Sequence, residues 1–493
     1  MRGRRGREVR RALRLTMLST VFPGLGLVFT RRHRFGFLLL TSAALVALAL
    51  AFLVANGGII EAASRFLTEK GLYSLLALFM VGGVLWVFGI MLTARETSKR
   101  GWGGGARWLM RLFTAAMCLV VAVPAARATQ YVLVTQDAFN SIFQDHFSGR
   151  GAQAQKPGGG SDPWKDVPRL NMLLLGSDAG KGRQNTRTDS MMIASINTKT
   201  GDTALISVPR NLENVPIPES NPLHSVYPNG YKCPQHACLM DAIWHEVEIN
   251  HPDLFKGEQD AGLHTTEEVL EQVVGLDIDY TVVINLAGFQ QLVDSMGGVK
   301  LNVPKPGIAI GGSIKNGREV PGSVTGMVKP GYRKLNGYEA LWYSRSRVRD
   351  QDGDNSRMRR QRCMVNALIS QSNPPKLLKQ FPDIMSAAAE NIRIDMPRDD
   401  LPAFANLAQR MKGGNMRSVS FSKVINGADP DFGKIHSLVQ EAINAPHDPA
   451  APKATSTATP TPTDTESSSD DPTDGSPSST PTHEAITDTT DAC

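Results

Sequence analysis

The sequence has little cysteine, five residues in 493, which is too few for the dense disulfide framework of small secreted domains. It also lacks a His-Glu-x-x-His motif, a Gly-x-Ser-x-Gly motif and a Walker loop, the usual signatures of zinc proteases, serine hydrolases and nucleotide-binding enzymes. With 41% hydrophobic and 20% charged residues, the chain is neither disordered nor collagen-like. Its length allows two or three structural units.

Negative charge is almost absent from the amino-terminal end of the chain, and positive charge is almost absent from the carboxy-terminal end. Residues 1–36 contain ten Arg and one Glu, whereas residues 446–493 contain nine acidic residues and one Lys. The acidic segment is rich in Ser, Thr, Pro and Asp, and Ile486 is its only large aliphatic residue. Because this composition buries too little apolar surface to offset chain entropy, we expect 446–493 to be a disordered tail.

Long apolar runs follow the basic leader. A shorter stretch inside the leader, 15–30, contains Pro and Gly, so we expect it to be interfacial or re-entrant. The runs themselves have about 20 or more residues each with almost no charge, enough to cross roughly 30 Å of hydrocarbon. The sequence therefore predicts an all-α region of three transmembrane helices over 37–134. The runs lie at 37–60, 72–94 and 108–134.

The distribution of Arg and Lys around the runs predicts their orientation. The leader and the loop between the second and third runs are rich in Arg and Lys, whereas the loop 61–70 is balanced. Leader and second loop are therefore expected in the cytoplasm, and three crossings place the chain after about Thr135 outside. We expect a multi-pass cell-membrane protein with an extracellular linker over 135–168 and an extracytoplasmic domain over 169–445.

Charged side chains stand at the ends of three predicted strands of this domain. The apolar runs at 170–176, 191–197 and 204–209 are typical of buried strands, and strand ends are where open sheets bind ligands. Carboxylates suit Mg²⁺ or Mn²⁺, and guanidinium forks suit phosphate oxygens. A surface network of salt bridges would give the same pattern. The charged residues are Asp178, Arg187, Asp189 and Arg210.

A second charged cluster follows at 345–361. Arg345, Arg347 and Arg349 alternate, so on an extended segment they would share one face. An acidic loop containing Asp350, Asp352 and Asp354 precedes a predicted helix. Because the flanking residues are core-like, we expect these charges to line a site. On that helix, one face would carry Arg357, Arg360 and Gln361.

Taken in order, several segments resemble the LytR-CpsA-Psr family of cell-wall glycopolymer ligases. The resemblance covers 169–375 continuously and extends less distinctly to about 442. It implies an α/β fold, an αβα sandwich with a mixed central sheet, and an apolar pocket for a polyprenyl chain with the pyrophosphate at its mouth. The segments are LNMLLLGSD, RTDSMMIASIN, ISVPRN, GLDIDYTVVINLAGFQQLVDSMGGVKLNVP, YSRSR and DGDNSRMRRQR.

The resemblance also implies roles for individual residues. Asp178 and Asp189 match metal-associated acids, and the expected cofactor is Mg²⁺ or Mn²⁺. Asn211 departs from the family pattern, in which Asp usually follows Pro-Arg, so a metal or base role at 211 is in doubt. Asp354, Arg210 and Arg347 are the expected catalytic residues. The expected pyrophosphate ligands are Arg187, Arg210, Arg345, Arg347, Arg357 and Gln361.

The resemblance implies a membrane-anchored phosphotransferase that needs no covalent nucleophile, because its donor is already activated. It would attach a polyprenyl-pyrophosphate-linked glycopolymer to peptidoglycan and release polyprenyl phosphate. The alternatives are hydrolysis of the lipid pyrophosphate, with water as acceptor, and a non-catalytic envelope or regulatory protein of the attenuator type. The predicted topology keeps the basic cluster outside the cell, so we expect no nucleic-acid partner.

Cys233 and Cys238 flank a short segment that contains His236. Zinc binding would require more ligands than this spacing supplies, and the expected compartment is oxidising. We therefore predict a local disulfide between the two cysteines.

Overall fold

The computed structural model describes residues 2–99, 101–143, 155–158, 162–178, 187–315, 318–350, 352–372, 391–421, 424–445 and 486–488. The chain divides into two compact units, Met1–Asn140 and Ser141–Cys493. The amino-terminal unit is helical. Its helices are α1 (Arg2–Val21), α2 (Leu25–Val28), α3 (His33–Leu67), α4 (Glu69–Thr97) and α5 (Gly104–Ile142).

Three of these helices contain a stretch that is long and apolar enough to cross a membrane. The stretches are His33–Ala55, Glu69–Thr97 and Gly104–Asp137. Large apolar side chains such as Leu48 and Val84 are each 68% exposed, as expected of surfaces that face lipid. The three predicted apolar helices are therefore present and indicate a membrane anchor.

The stretch 15–30 is not among the membrane-length helices of the described residues. It completes α1, turns at Gly24, where φ is 79°, and forms the short helix α2. The turn is fixed against α4, because the Ser19 and Thr93 hydroxyls are 2.8 Å apart and Trp86 Nε1 donates to the Ser19 carbonyl. α1 is thus a packed helix rather than a free leader.

The second unit contains the remaining secondary structure. Its helices are α6 (Ile243–His245), α7 (Ala261–Val274), α8 (Leu286–Ser295), α9 (Gly337–Arg345), α10 (Gly353–Gln371), α11 (Leu401–Gly413) and α12 (Phe432–Asn444). Its strands are β1 (Arg169–Ser177), β2 (Thr188–Asn197), β3 (Thr203–Val208), β4 (Tyr280–Asn285), β5 (Val299–Val303), β6 (Ile308–Gly311), β7 (Ile314–Lys315), β8 (Arg318–Glu319), β9 (Val324–Val328), β10 (Gly331–Leu335), β11 (Ile392–Ile394), β12 (Met416–Ser420) and β13 (Ile486–Asp488).

A mixed sheet with the strand order β11-β4-β1-β2-β3-β12-β13 forms the centre of this unit. β1 and β4 are parallel, as are β3 and β12. β2 lies between β1 and β3 and is antiparallel to both. Successive side chains of a strand point to opposite faces. Leu173 and Leu175 accordingly pack on α7 and α12, and Met192 and Ala194 pack toward α11.

Helices thus cover both faces of the sheet, which confirms the predicted αβα sandwich. The first three strands coincide with the three predicted apolar runs because those runs are buried in the sheet, as in Ile193 and Ile206, which are fully buried.

The segment expected to be a linker, 135–168, is partly structured. α5 continues to Ile142, and Trp164 is 1% exposed with its indole Nε1 donating to the Ala403 carbonyl at 2.9 Å. A tryptophan buries a large apolar area when it docks, and this gain is sufficient to fix Trp164 in the core despite its polar neighbours. The expectation of a simple linker is therefore wrong at these residues.

Most of the acidic tail lies outside the described residues. Its described part, Ile486–Asp488, forms β13 and pairs antiparallel with β12. Ile486 packs against the core on the α7 and α12 side of the sheet. The expectation of a tail without docked residues is wrong at this point, because one aliphatic side chain and an unpaired strand edge are enough for a short pairing.

Candidate active site

An apolar cavity of about 480 Å³ lies between the sheet and the helices α8, α10 and α11. Side chains such as Met172, Ile196 and Phe404 line it. Ser177 and Ser190, on the strand ends β1 and β2, mark its polar end. The cavity therefore combines a hydrophobic interior with one charged opening, the shape required by an amphiphilic ligand. The charged and amide groups at this opening are Asp189, Arg345, Arg347, Arg357 and Gln361.

Strand pairing explains why charged residues meet at this opening. β1 and β2 are antiparallel, so the end of β1 and the start of β2 lie at the same edge, with Ser177 opposite Thr188. β3 runs antiparallel to β2 and ends at this edge too, with Val208 opposite Met191. Residues that follow β1 or β3, or that begin β2, are therefore brought together although they are distant in sequence.

Arg210 is the centre of the resulting ion-pair network. Its guanidinium Nη1 lies 2.8 Å from Asp189 Oδ1 and 3.5 Å from Asp241 Oδ2, and its Nε lies 3.7 Å from Asp354 Oδ1. One cation thus connects three carboxylates from three separate segments. This arrangement fixes the plane of the guanidinium group at the cavity opening.

Asp354 is the second connecting group. Its Oδ2 accepts from Arg357 Nη2 at 3.0 Å, and its Oδ1 lies 3.6 Å from Arg347 Nη1. Asp354 Oδ1 has no hydrogen-bond partner in the described structure, so this oxygen can accept a hydrogen bond from a ligand. Arg347, 42% exposed at its side chain, is the most exposed of the three arginines close to Asp354.

Arg357 is the most deeply buried cation of the site. Its side chain is 4% exposed, and burial lowers the pKa of its guanidinium to about 10, while Asp354 acts in the opposite direction. Its Nε is buried without a hydrogen-bond partner among the described residues. A buried donor without a partner is costly, and an anion at the cavity opening would satisfy it.

Asp178, Arg187 and Gln361 lie around this core of the site. Asp178 Oδ1 accepts from the Arg187 backbone N–H at 3.1 Å, and the Arg187 side chain lies 3.7 Å from Asp241. The Gln361 carbonyl oxygen accepts from the Ser190 hydroxyl at 3.3 Å. The charged residues of the first segment therefore lie at the same edge of the sheet as Arg347, Asp354, Arg357 and Gln361 of the second. Asn211 is exposed in the turn after Arg210.

Asp241 was missed by the sequence analysis. It is 2% exposed and lies between Arg187 and Arg210. Burial raises the pKa of its carboxyl group, and the guanidinium groups of Arg210 and Arg187 oppose this rise. The available signal was a single acid within the apolar run CLMDAIW, because a charge in such a run is buried and needs a partner.

The three alternating arginines do not share a face as predicted for an extended segment. Arg345 is the last residue of α9, and its guanidinium carbon lies 5.3 Å from the centre of the Trp342 ring. Arg349, with φ of 60°, makes two hydrogen bonds with Glu319 outside the site. The chain turns at this point instead of extending, because α9 continues through Arg345.

Arg360 lies on the predicted helix with Arg357 and Gln361, but it does not line the cavity, so the expectation that it lines the site is wrong. Its guanidinium group donates to the Tyr343 and Ser346 carbonyls and pairs with Asp350. Arg360 therefore holds the turn that follows α9 and so positions Arg347. The backbone carbonyls exposed where α9 ends explain why this cation is drawn away from the cavity.

The donors of the site suit a divalent cation in kind. Within the described residues there is no group of three or more His, Cys, Asp or Glu side chains arranged to hold a metal. The carboxylates nevertheless supply hard oxygen atoms, and buried Asp241 Oδ1 and Asp354 Oδ1 have no hydrogen-bond partner in the described structure. The residues present are therefore chemically compatible with Mg²⁺ or Mn²⁺.

Cys233 and Cys238 form a disulfide, with their Cα atoms 5.2 Å apart. The loop that they close contains a short 3₁₀ turn, Pro234–His236. The two sulfur atoms are bonded to each other, and His236 pairs with Glu213.

The αβα domain thus has an apolar cavity that opens onto clustered guanidinium and carboxylate groups, an arrangement that suits an amphiphile with an anionic head. Residues 139–441, more than half of the chain, match the LytR_cpsA_psr family. The chain therefore belongs to this family, as the sequence motifs indicated.

Known proteins of two kinds are similar to this chain. Biofilm regulatory protein A of Streptococcus mutans is 25% identical over 321 residues, covering 62% of this chain and 68% of that protein. The polyisoprenyl-teichoic acid–peptidoglycan teichoic acid transferase TagU of Bacillus licheniformis is 26% identical over 232 residues, covering 47% of this chain. The matched region spans only 61% of that transferase.

Solved structures similar to this chain include B. subtilis TagV, with 23% identity and a TM-score of 0.36, covering 55% of this chain and 96% of that one. The structure of TagT bound to LI-WTA is 20% identical, with a TM-score of 0.38, covering 59% of this chain and 95% of that one.

Proposed function

We propose that this protein is a membrane-anchored phosphotransferase that attaches a polyprenyl-pyrophosphate-linked glycopolymer to peptidoglycan. The observation that carries the proposal is the apolar cavity whose opening holds Arg347, Arg357 and Gln361 beside Asp189. A polyprenyl chain fits the apolar interior, and a pyrophosphate fits the guanidinium groups at the opening. Family membership and the similarity to a teichoic acid transferase support this choice of substrates.

In the proposed reaction, a hydroxyl oxygen of peptidoglycan attacks the phosphorus atom that carries the glycopolymer. A new P–O bond forms to the acceptor, the P–O bond to the second phosphate breaks, and polyprenyl phosphate leaves with the electron pair. The hydroxyl proton passes to a base or to water. Phosphoryl transfer of this kind depends mainly on positioning and on stabilisation of negative charge.

The residues of this chain divide that work between them. Arg347 and Arg357 bind the pyrophosphate oxygens, and Arg210, held by Asp189 and Asp354, presents a preoriented charge to the transition state. Asp354 Oδ1, which lacks a hydrogen-bond partner in the described structure, accepts the hydrogen bond of the acceptor hydroxyl. The apolar walls of the cavity hold the lipid and exclude water from one side of the reaction.

A bound Mg²⁺ or Mn²⁺ ion would add neutralisation of pyrophosphate charge. Asp178 and Asp189 are the side chains proposed to hold it. Replacement of Asp189 by alanine should weaken the dependence of the rate on added Mg²⁺ or Mn²⁺ and lower metal affinity, because an oxygen ligand is lost. Manganese binding measured by electron paramagnetic resonance checks this independently of turnover. Unchanged binding in Asp189→Ala would remove Asp189 from the proposed metal site.

Asp241 is proposed to act through Arg187 and Arg210. Asp241→Asn keeps the size of the side chain but removes the negative charge that pairs with both guanidinium groups. It should lower kcat about tenfold, at the lower end of the losses measured when a residue that orients a functional group is replaced. The KM for the lipid donor should change little, since Asp241 does not line the cavity. An unchanged kcat, with the fold checked by circular dichroism, would show that Asp241 only fills space.

The proposed topology places the amino terminus in the cytoplasm and the second unit outside. A reporter that is active only outside the cytoplasm should be active when fused at residue 160 and inactive when fused at residue 100. A reporter that is active only in the cytoplasm should show the reverse. The opposite pattern would contradict both the topology and access to peptidoglycan.

The function itself is tested by incubating the full chain with a polyprenyl-pyrophosphate-linked glycopolymer, with and without peptidoglycan fragments. The proposal predicts release of polyprenyl phosphate together with a glycopolymer–peptidoglycan product. Release of equal amounts without acceptor would indicate hydrolysis instead. No release under either condition, with lipid nevertheless bound, would favour a non-catalytic role.

A further inference from the structure

Helix α1 has two different faces. One face is packed: Ala12 is 1% exposed in a cluster with Ala94, Trp102 and Met110, and Glu8 pairs with Lys99 at 2.7 Å. The other face is exposed from Arg7 to the end of the helix. This face continues past the end of the helix and consists of Arg7, Arg10, Arg11, Arg14, Met17, Leu18, Val21 and Phe22.

The exposed residues follow the spacing i, i+3, i+4, i+7 of a single helical stripe. The four cations come first and span about 10 Å at a rise of 1.5 Å per residue. Apolar side chains then continue the same stripe toward the turn at Gly24. A ligand whose polar group contacts the cations would therefore find an apolar surface next to them, further along the helix.

A cavity of about 540 Å³ lies on this stripe. Its charged lining is unbalanced, because among the described residues no acidic side chain forms an ion pair with any of its four arginines. Clustered, uncompensated cations above an apolar surface match an anionic head that carries a hydrocarbon chain. The lining residues are Arg7, Arg10, Arg11, Arg14, Leu15, Leu18 and Phe29.

A second cavity of the same unit repeats this combination. It has a volume of about 550 Å³ and joins cations to aromatic and aliphatic side chains. Of these cations, Arg32 pairs with Glu96, so the second cavity is partly neutralised and the α1 cavity is the better anion site. Its lining is Arg31, Arg32, His33, Arg34, Phe35, Phe88 and Leu92.

We propose that the exposed stripe of α1 binds one anionic glycerophospholipid, with its phosphate among the four arginines and an acyl chain along Leu18 and Phe29. The proposed topology places this stripe on the cytoplasmic side, whereas the polyprenyl phosphate of the proposed reaction is released on the opposite side. The occupant is therefore a membrane lipid and not the reaction product. Such a lipid would fix α1 against the bilayer surface.

The test uses the full chain in nanodiscs made of phosphatidylcholine alone or of equal parts phosphatidylcholine and phosphatidylglycerol. Native mass spectrometry after mild removal of lipid measures which headgroup stays bound. We expect selective retention of phosphatidylglycerol. Each cation near an anionic headgroup strengthens binding about fivefold, so Arg10→Gln with Arg14→Gln should weaken retention roughly thirtyfold. Added salt should weaken it as well.

The matched control is Arg107→Gln with Arg111→Gln. These arginines are also four residues apart and exposed on a helix, but they line neither cavity. The control should retain phosphatidylglycerol like the unmodified chain. Equal losses in both double variants, no preference for phosphatidylglycerol, or its displacement by polyprenyl phosphate would each overturn the proposal. Because the readout is lipid retention, the result does not depend on whether the chain is a transferase.

Discussion

Replacing Arg347 with alanine should lower turnover about a hundredfold while leaving the fold intact. Arg347 reaches the cavity opening, where its Nη1 lies 3.6 Å from Asp354, and its side chain is 42% exposed. The substitution therefore removes a cation that faces the substrate without opening a hole in the core. Loss of one preoriented donor to a developing anion costs about 3 kcal/mol. The measurement is the rate of polyprenyl phosphate release in the presence of peptidoglycan fragments.

Two variants make this result specific. Arg347→Lys should recover only part of the rate, because lysine supplies the charge but not the planar fork that binds two phosphate oxygens. Arg349→Ala is the matched control, since Arg349 lies two residues away and pairs with Glu319 outside the site. Near-normal turnover in Arg347→Ala, or an equal loss in Arg349→Ala, would show that these arginines form only a surface network.

Arg357 should not be used as the first test, although it is the most buried cation of the site. Its removal would leave Asp354 without its shortest ion pair, and breaking one partner of a buried pair is strongly destabilising. A loss of activity in Arg357→Ala would therefore mix catalysis with folding. Arg347 separates the two effects because it is partly in solvent.

The sheet could be predicted from the sequence because its central strands are buried on both faces. A strand such as Thr203–Val208, buried at every position, consists of aliphatic and small side chains without charge, and this produces an uncharged, largely apolar run in the sequence. Asp178, Asp189 and Arg210 were found for the same reason. Their position follows from the sequence alone, because Asp178 and Arg210 come shortly after a strand and Asp189 stands at the start of one.

The contacts between segments could not be predicted in the same way. Asp241 contacts Arg210 and Arg187 only because the chain comes back to the end of β3 at residue 241. There the Asp241 backbone N–H donates to the Arg210 carbonyl. Likewise, nothing in the local pattern shows that Arg360 turns to the backbone of α9. Ile486 docks through strand pairing with β12, a long-range contact that composition does not encode.

The second large effect is expected inside the cavity. Ala408 lines it from α11 and is itself exposed, so Ala408→Trp should fill part of the space without disturbing the core. If the indole displaces about three methylene groups of the lipid chain, at about 0.8 kcal/mol each, the long-chain donor should bind roughly fiftyfold more weakly. We expect this as a higher KM with little change in kcat, because the groups around Arg210 stay in place.

Chain length separates occupancy of the cavity from any indirect effect of the new tryptophan. A donor with a short, water-soluble lipid does not reach Ala408, so its KM should be the same in Ala408→Trp and in the unmodified chain. Gln409→Trp adds the same side chain one residue away, outside the cavity lining, and should leave the KM of both donors unchanged.

If Ala408→Trp raised the KM of both donors equally, the tryptophan would be acting on the charged opening. If it changed neither, the lipid would lie elsewhere, and the cavity would lose its assigned role, whereas the role proposed for the arginine cluster would be unaffected. The Ala408 and Arg347 experiments are independent, because Ala408→Trp tests the hydrophobic interior of the cavity and the Arg347 variants test its charged end.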